Sequence, residues 1–457
     1  WEWETFPEYL DAIAARRHEI DLCAYIPHSA LRVYAMGERG ARREPATPED
    51  RARMAALAGE AVRAGAFGFA TSNFAFHRRI DGAPIPSFDA AEVELLDIAR
   101  AVADAGGGVF QMVLHLDQDD IADAKAAIDM LGRISRHAGL TATFTLAQDN
   151  GHPTRWRDIL HWVAEQNAAG ADLLAQIFPR PVGIIMGHEL TLNPFSDCPS
   201  YKALSGNLDE KIARLRDPAV RKQLLSEMPD APALPIHKLS RSYDRMFPMS
   251  DPPNYEPSLT NSVASRAAEG GVTPEEVAYD LMLANDGRDL LFIAAANYAD
   301  GDLRPVIAMM KDPNIVLGLG DGGAHYGLIC DSSYPTFLLT YLARDREAER
   351  IDLPTAIRAL SDVPARLMGL DDRGRLAPGL RADINIINHA GLRLDMPRVK
   401  FDLPAGGRRL DQTASGFRCT LVDGQPILID DVPTNALPGK LVRSGEVAAA
   451  ATRCPVS

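Results

Sequence analysis

The chain lacks the compact motifs that usually mark a hydrolytic centre or a nucleotide site. Its 457 residues contain no HxH pair and no HExxH helix, so the strong zinc signatures are missing. There is no GxSxG elbow, which excludes the serine of an α/β-hydrolase, and the Gly106-Gly107-Gly108 run precedes a strand rather than a helix, which excludes a phosphate loop. Five cysteines (Cys23, Cys198, Cys330, Cys419, Cys454) stand apart with no CxxC spacing. That rules out a disulfide framework and points to a reducing, cytoplasmic setting. Positive charge is also short, at 48 Lys and Arg against 62 Asp and Glu. The net charge of −14 argues against a broad phosphate-binding surface and so against nucleic acid as a partner. No apolar run reaches membrane-spanning length, so no transmembrane helix is expected. The chain opens Trp1-Glu2-Trp3 without an initiator methionine or a basic-then-apolar leader, as a processed, trimmed or internally numbered chain would.

What is present is a regular alternation. Apolar, β-branched runs at 20–26, 66–72, 108–116, 141–148 and 173–178 are separated by Ala-rich amphipathic segments at 48–64, 90–105, 121–138 and 156–168. This pattern predicts a parallel sheet with crossover helices outside it. A sixth strand, around Val316, follows a long interruption at about 191–297. That stretch is too long for a structureless loop, and it reads as a helical insertion (209–216, 219–227, 274–284) with a lid over the site or as a peripheral elaboration. Helices are expected at 334–344 and 353–360. Beyond Gly369 short alternating runs such as 382–387 and 417–422 predict a small antiparallel β unit. The domains are therefore a barrel over 1–370, a β unit over 371–443 and a mobile tail over 444–457.

The candidate chemistry sits where strands end. The run Asn314-Ile315-Val316-Leu317 empties into Gly318-Leu319-Gly320-Asp321-Gly322-Gly323-Ala324-His325, which puts a carboxylate on a glycine-rich turn at the edge where a barrel does its work. Asp321 is read there as a general base or metal ligand, with a surface turn as the alternative. His115 is the better metal-ligand candidate among the strand-end histidines, against a hydrogen-bonded core histidine. Gln148 and Gln176 are candidate substrate amides, and Arg180 could hold an anionic group or be a solvated loop arginine. His325 could orient substrate or donate to an oxyanion. His28 reads equally as a site or a loop-holding residue, whereas His77 reads as a surface residue. Cys330 reads as a small buried hydrophobe rather than a nucleophile.

Several segments together resemble the amidohydrolase superfamily, in particular its N-acyl-D-amino-acid deacylase (D-aminoacylase) group. They are His28-Ser29-Ala30-Leu31-Arg32 with Met36-Gly37, Gly65-Ala66-Phe67-Gly68-Phe69, Gly320-Asp321-Gly322-Gly323-Ala324-His325, and a closing pattern. That pattern runs Asp372-Arg373-Gly374-Arg375-Leu376-Ala377-Pro378-Gly379-Leu380-Arg381-Ala382-Asp383, then Asp402-Leu403-Pro404-Ala405-Gly406-Gly407-Arg408-Arg409, then Pro438-Gly439-Lys440-Leu441-Val442-Arg443. The resemblance implies an α/β fold: a metal-dependent (β/α)8 barrel, here incomplete at its N-terminus, with a small C-terminal β-sandwich portion. It implies hydrolysis of a non-peptide amide in a small molecule by water activated on zinc or another divalent metal. Asp321 matches the final-strand aspartate that shuttles the proton and can touch the metal.

The departures are specific. The family's opening HxH and its cysteine ligand have no counterpart here, and the later strand-end histidines are replaced by Thr145-Leu146-Ala147-Gln148 and Leu174-Ala175-Gln176-Ile177. Competing readings are a non-catalytic amidohydrolase-like subunit or binding protein, and a lactone or ester hydrolase on the same scaffold. A sheet edge left open by absent strands would favour a homo-oligomer.

Overall fold

The computed structural model describes residues 2–116, 120–230 and 235–445. Its centre is a parallel sheet of six strands: β1 (Ile26–Pro27), β2 (Gly68–Ser72), β3 (Val109–Val113), β4 (Thr141–Thr145), β5 (Leu173–Ile177) and, after a three-stranded excursion, β9 (Ile315–Leu317). They lie in the order β1-β2-β3-β4-β5-β9. Helices α1 (Pro48–Arg63), α2 (Glu92–Asp104), α3 (Ile121–Ala138) and α4 (Arg155–Ala168) connect the first five strands. Strand alternation explains the layering. Phe69, Phe110, Met112, Phe144, Ala175 and Ile177 turn outward and bury against Met54, Val62, Ile98, Val102, Ile128 and Val163 of the helices in one continuous core. The intervening positions, Ser72, Gln111, Thr143, Thr145 and Gln176, face inward, and they are polar where a closed barrel would stack Val, Ile and Leu. Local signals set the helix starts. Thr47 and Asp50 form a reciprocal capping box ahead of Pro48, and α3 ends on Gly139 in the left-handed conformation.

Strand β2 approaches β3 unusually closely at Gly68, where a Cβ would lie 2.0 Å from the Val109 carbonyl oxygen and φ is +142°. Only glycine fits there.

The first expected strand, 20–26, shrinks to Ile26–Pro27. The preceding residues are held instead by the small β unit, since Leu22 bridges Leu441 and the Asp21 carboxylate accepts from Arg373 (2.6 Å), Arg381 (3.1 Å) and the Lys440 N–H (2.9 Å). The interruption contains helices Leu208–Leu215, Pro218–Ser226 and Pro274–Gly287. Two of its strands join one from just before it in an antiparallel sheet that the sequence pattern did not suggest, in which β8 (Leu291–Ala296) lies between β6 (Val182–Met186) and β7 (Met246–Pro248). The helix expected at 334–344 begins at Tyr334 and widens into a π-helical stretch, Leu338–Asp345. Past residue 370, strands β10 (Ile384–Ile387), β11 (Arg393–Leu394), β12 (Arg398–Leu403), β13 (Gly407–Asp411), β14 (Ala414–Ser415), β15 (Phe417–Val422), β16 (Gln425–Ile429) and β17 (Val432–Pro433) form small antiparallel sheets. Most of the expected tail, residues 446–457, lies outside the described residues. Among those that are described, no helix is long and apolar enough to cross a membrane.

Candidate active site

Strand β9 leaves the sheet at Gly318, and the loop after it is conformationally unusual. Leu319, Asp321 and His325 all have positive φ, at 65°, 43° and 49°. Three non-glycine residues in the left-handed region within seven positions cost of order 1 kcal/mol or more each, and such strain collects at functional sites. Asp321 is exposed. With Tyr326, Cys330, Asp331, Arg409 and Gln412 it lines a cavity of about 200 Å³ between the loop and the small β unit. Among the described residues its carboxylate accepts no hydrogen bond.

The wall behind it is rigid. Arg180 is 1% exposed; its Nη2 donates to Asp331 (2.8 Å) and the Cys330 carbonyl (3.0 Å), and its Nη1 donates to Ser333 Oγ (2.9 Å). The guanidinium lies 4.2 Å over the Tyr255 ring, and Tyr255 in turn donates to Gln412 Oε1. Arg180 is therefore neither a solvated loop arginine nor open to a ligand through its amines. It pins the Cys330–Ser333 turn that faces Asp321. Burial pushes the Cys330 thiol up to about 12, against the attraction of Arg180, which leaves it a protonated core thiol. Arg409 is likewise committed, to Asp402 and Asp411.

The two glutamines have different fates. Gln148 is fully buried, its amide donating to the Pro153 carbonyl and Asp300 and accepting from the Ala299 N–H, so both of its N–H groups are consumed in pinning loops. Gln176 faces the sheet interior, where its Oε1 accepts from Gln111 (3.2 Å) and its side chain lies beside Gly318. His115 donates its backbone N–H to Asn73 Oδ1 (3.1 Å), and its ring packs edge-on to Phe74. His28 is a structural residue: fully buried, it joins Thr71 (2.7 Å) and Glu94 (2.8 Å), and Glu94 is also paired with Arg32.

The residue that sequence reading placed wrongly is His77. It is half-buried in the loop after β2, its Nδ1 is 2.7 Å from Ser72 Oγ, and its ring packs edge-on to Phe74. Its pKa is lowered, chiefly by burial and further by His325, while Asp321 pulls the other way. No periodicity marks this loop; the only available signal was a histidine a few residues past a strand end.

A metal was implied by the resemblance, with Asp321 able to touch it, and His115 was the ligand candidate on strand-end position. Among the described residues no three His, Cys, Asp or Glu side chains come together in a way that could hold one. Four ligands are usual for zinc, and the neutral Thr145 and Gln176 at neighbouring strand ends are poor substitutes for imidazole. The described donor set does not fit a complete metal site.

A sequence profile of the Amidohydrolase family matches residues 1–428. N-acyl-D-glutamate deacylase from Alcaligenes xylosoxydans xylosoxydans is 26% identical over 441 residues, covering 95% of this chain and 72% of that protein. The N-acyl-D-aspartate deacylase of the same organism is 22% identical over 448 residues, covering 98% and 73%. Among solved structures, N-acyl-D-glutamate deacylase from Bordetella bronchiseptica, complexed with zinc and a phosphonate inhibitor, matches with a TM-score of 0.60 at 20% identity, over 96% of this chain and 75% of that one. A D-aminoacylase structure with a binuclear metal centre gives 0.59 at 19%, over the same shares of the two chains. At such identities the structural likeness concerns the fold.

Proposed function

The chain belongs to the amidohydrolase family, and from that premise we propose that it is a metal-dependent hydrolase of a non-peptide amide bond in an N-acyl amino acid. The observation that supports this reading is Asp321: a carboxylate free of hydrogen-bond partners among the described residues, on a strained turn at the C-terminal edge of a parallel sheet, facing a cavity. In that position it removes a proton from the attacking water and returns it to the leaving nitrogen, a task suited to a carboxylate that is not committed to an ion pair. Gln176 and His325 are the substrate-facing polar groups in this reading, and Arg180 holds the wall through Asp331. The metal is the cofactor of the reading by kinship to deacylases solved with zinc. Because the described ligands are incomplete, no step is assigned to it. Unpaired cysteines at 23, 198, 330 and 419 support a reducing, cytoplasmic setting.

The test is hydrolysis of a panel of D- and L-N-acetyl amino acids, with and without added zinc, by the wild type and by Asp321→Asn. Turnover that depends on Asp321 supports the reading. No hydrolysis of any member under either condition rejects it.

A further inference from the structure

Three carboxylates line the cavity at Asp321, and they are held differently. Asp411 is taken up by Lys400 (2.5 Å) and Arg409 (2.7 Å). Asp321 is exposed and accepts no hydrogen bond among the described residues. Asp331 is only 8% exposed, and its Oδ1 accepts from Arg180 Nη2 (2.8 Å), whereas its Oδ2 has no partner among the described residues. Packing sets Asp331 beside the Asp321 turn independently of the shared lining. A Cβ built on Gly320 or on Gly322, the residues either side of Asp321, would lie 3.6 Å from Ser332, the residue that follows Asp331. Burial raises the Asp331 carboxyl against the pull of Arg180. Its charge is kept nonetheless, because protonation would leave the buried guanidinium with no counter-charge among the described residues. Oδ2 is thus an ionised acceptor in a desolvated wall, and such an atom costs free energy until a donor reaches it. We propose that Asp331 is a further substrate-contacting residue, whose Oδ2 accepts the N–H of the scissile amide. Water adds to the carbonyl carbon and gives its proton to Asp321, and the C–N bond breaks as that proton passes to nitrogen. Asp331 neither gains nor loses a proton. By holding the N–H on its own wall, it turns the lone pair that develops on nitrogen toward the wall where Asp321 carries the proton. An ester has no N–H and would leave Oδ2 unpaired, so the contact selects amides over esters.

This inference rests on the amide-hydrolase reading, and its test has one arm that does not depend on turnover. Full-length Asp321→Asn protein is titrated by calorimetry, with zinc present, with N-acetylglycine and with its ester counterpart O-acetylglycolate. The amide should bind about tenfold or more tightly than the ester, the usual margin of a hydrogen bond to a charged group. Adding Asp331→Asn should bring the two dissociation constants within about threefold of each other. Equal affinities in the Asp321→Asn protein overturn the proposal with Asp331 itself intact, and so does a failure of N-acetylglycine to bind. The second arm is kinetic, and compares the N-acetyl amino acid that the wild type hydrolyses fastest with its N-methyl counterpart, a tertiary amide without an N–H. Asp331→Asn should lower kcat/KM about tenfold or more for the secondary amide and less than about threefold for the tertiary one. A merely structural role would lower both alike, and that result, or no loss for either, overturns the proposal. A wild type that hydrolyses no amide fails the function reading, and the binding arm still judges Asp331 separately.

Discussion

At the scale of single residues, the cleanest experiment is Asp321→Asn. Asparagine is isosteric and tolerates the left-handed backbone at φ 43° as well as aspartate does, and the exposed side chain makes no hydrogen bond among the described residues. A loss of activity would therefore report on chemistry. We expect kcat to fall by about 10²–10⁴ with the thermal midpoint moving less than about 2 °C; an active Asn variant would remove Asp321 from the mechanism. Another residue yields a pH signature. His188 is buried in the insertion against Tyr201, and burial lowers its pKa to about 4, with Lys211 adding to the effect. The folded state thus binds fewer protons than the unfolded chain between about pH 4 and 6.5. Stability from this group is complete above pH 6.5 and declines as pH falls toward 4, by roughly 3 kcal/mol at 1.36 kcal/mol per pH unit. Urea midpoints for wild type and His188→Phe should diverge across that window and run parallel above it. Asp321 was legible in the sequence because a strand pattern and its glycines are local. The half-burial of His77 was not, because the loop that carries it has no period of its own and its packing against Phe74 is set by the fold.

Elements built on a local period were legible, and elements built on a partner were not. The five helix-linked strands follow from alternation and capping, whereas β6, β7 and β8 are short runs whose pairing is non-local, β6 with β8 across more than a hundred residues, and carry no signal of their own. Residues 20–25 show the same effect in reverse. Their apolar character suggested a strand, but the Asp21 carboxylate, gripped by Arg373 and Arg381, commits them to the β unit. Between elements, the contact most exposed to a single change is β2 against β3. Gly68→Ala would drive a methyl into the Val109 carbonyl at a φ that alanine resists, with no flexible side chain to give way. We expect a loss of about 3 kcal/mol or more, seen as a lowered urea midpoint or insoluble expression; a variant as stable as wild type would mean that the strands separate without cost.

At the scale of the molecule, the consequential fact is that the described parallel ladder is open, with β1 and β9 at its edges. The fold class could be read from the alternating pattern and the family resemblance, but how the sheet closes could not, because closure depends on which strands lie beside the edges. Hydrogen exchange addresses this directly. In β9 the Gly318 N–H and the Asn314 carbonyl both point to β5, so by strand alternation Val316 pairs inward while the amides of Ile315 and Leu317 face the open side. In the interior strands, Phe110 and Met112 of β3 and Ala142 and Phe144 of β4 lie between paired neighbours. If the edge is open in solution, Ile315 and Leu317 should exchange at least a hundredfold faster than Val316 and the interior amides, and the contrast should persist at all protein concentrations. Uniform slow exchange along β9 would show that another strand occupies the edge. A contrast that fades as concentration rises would show that the strand comes from a second copy, which connects the oligomeric state to the integrity of the rim that carries Asp321.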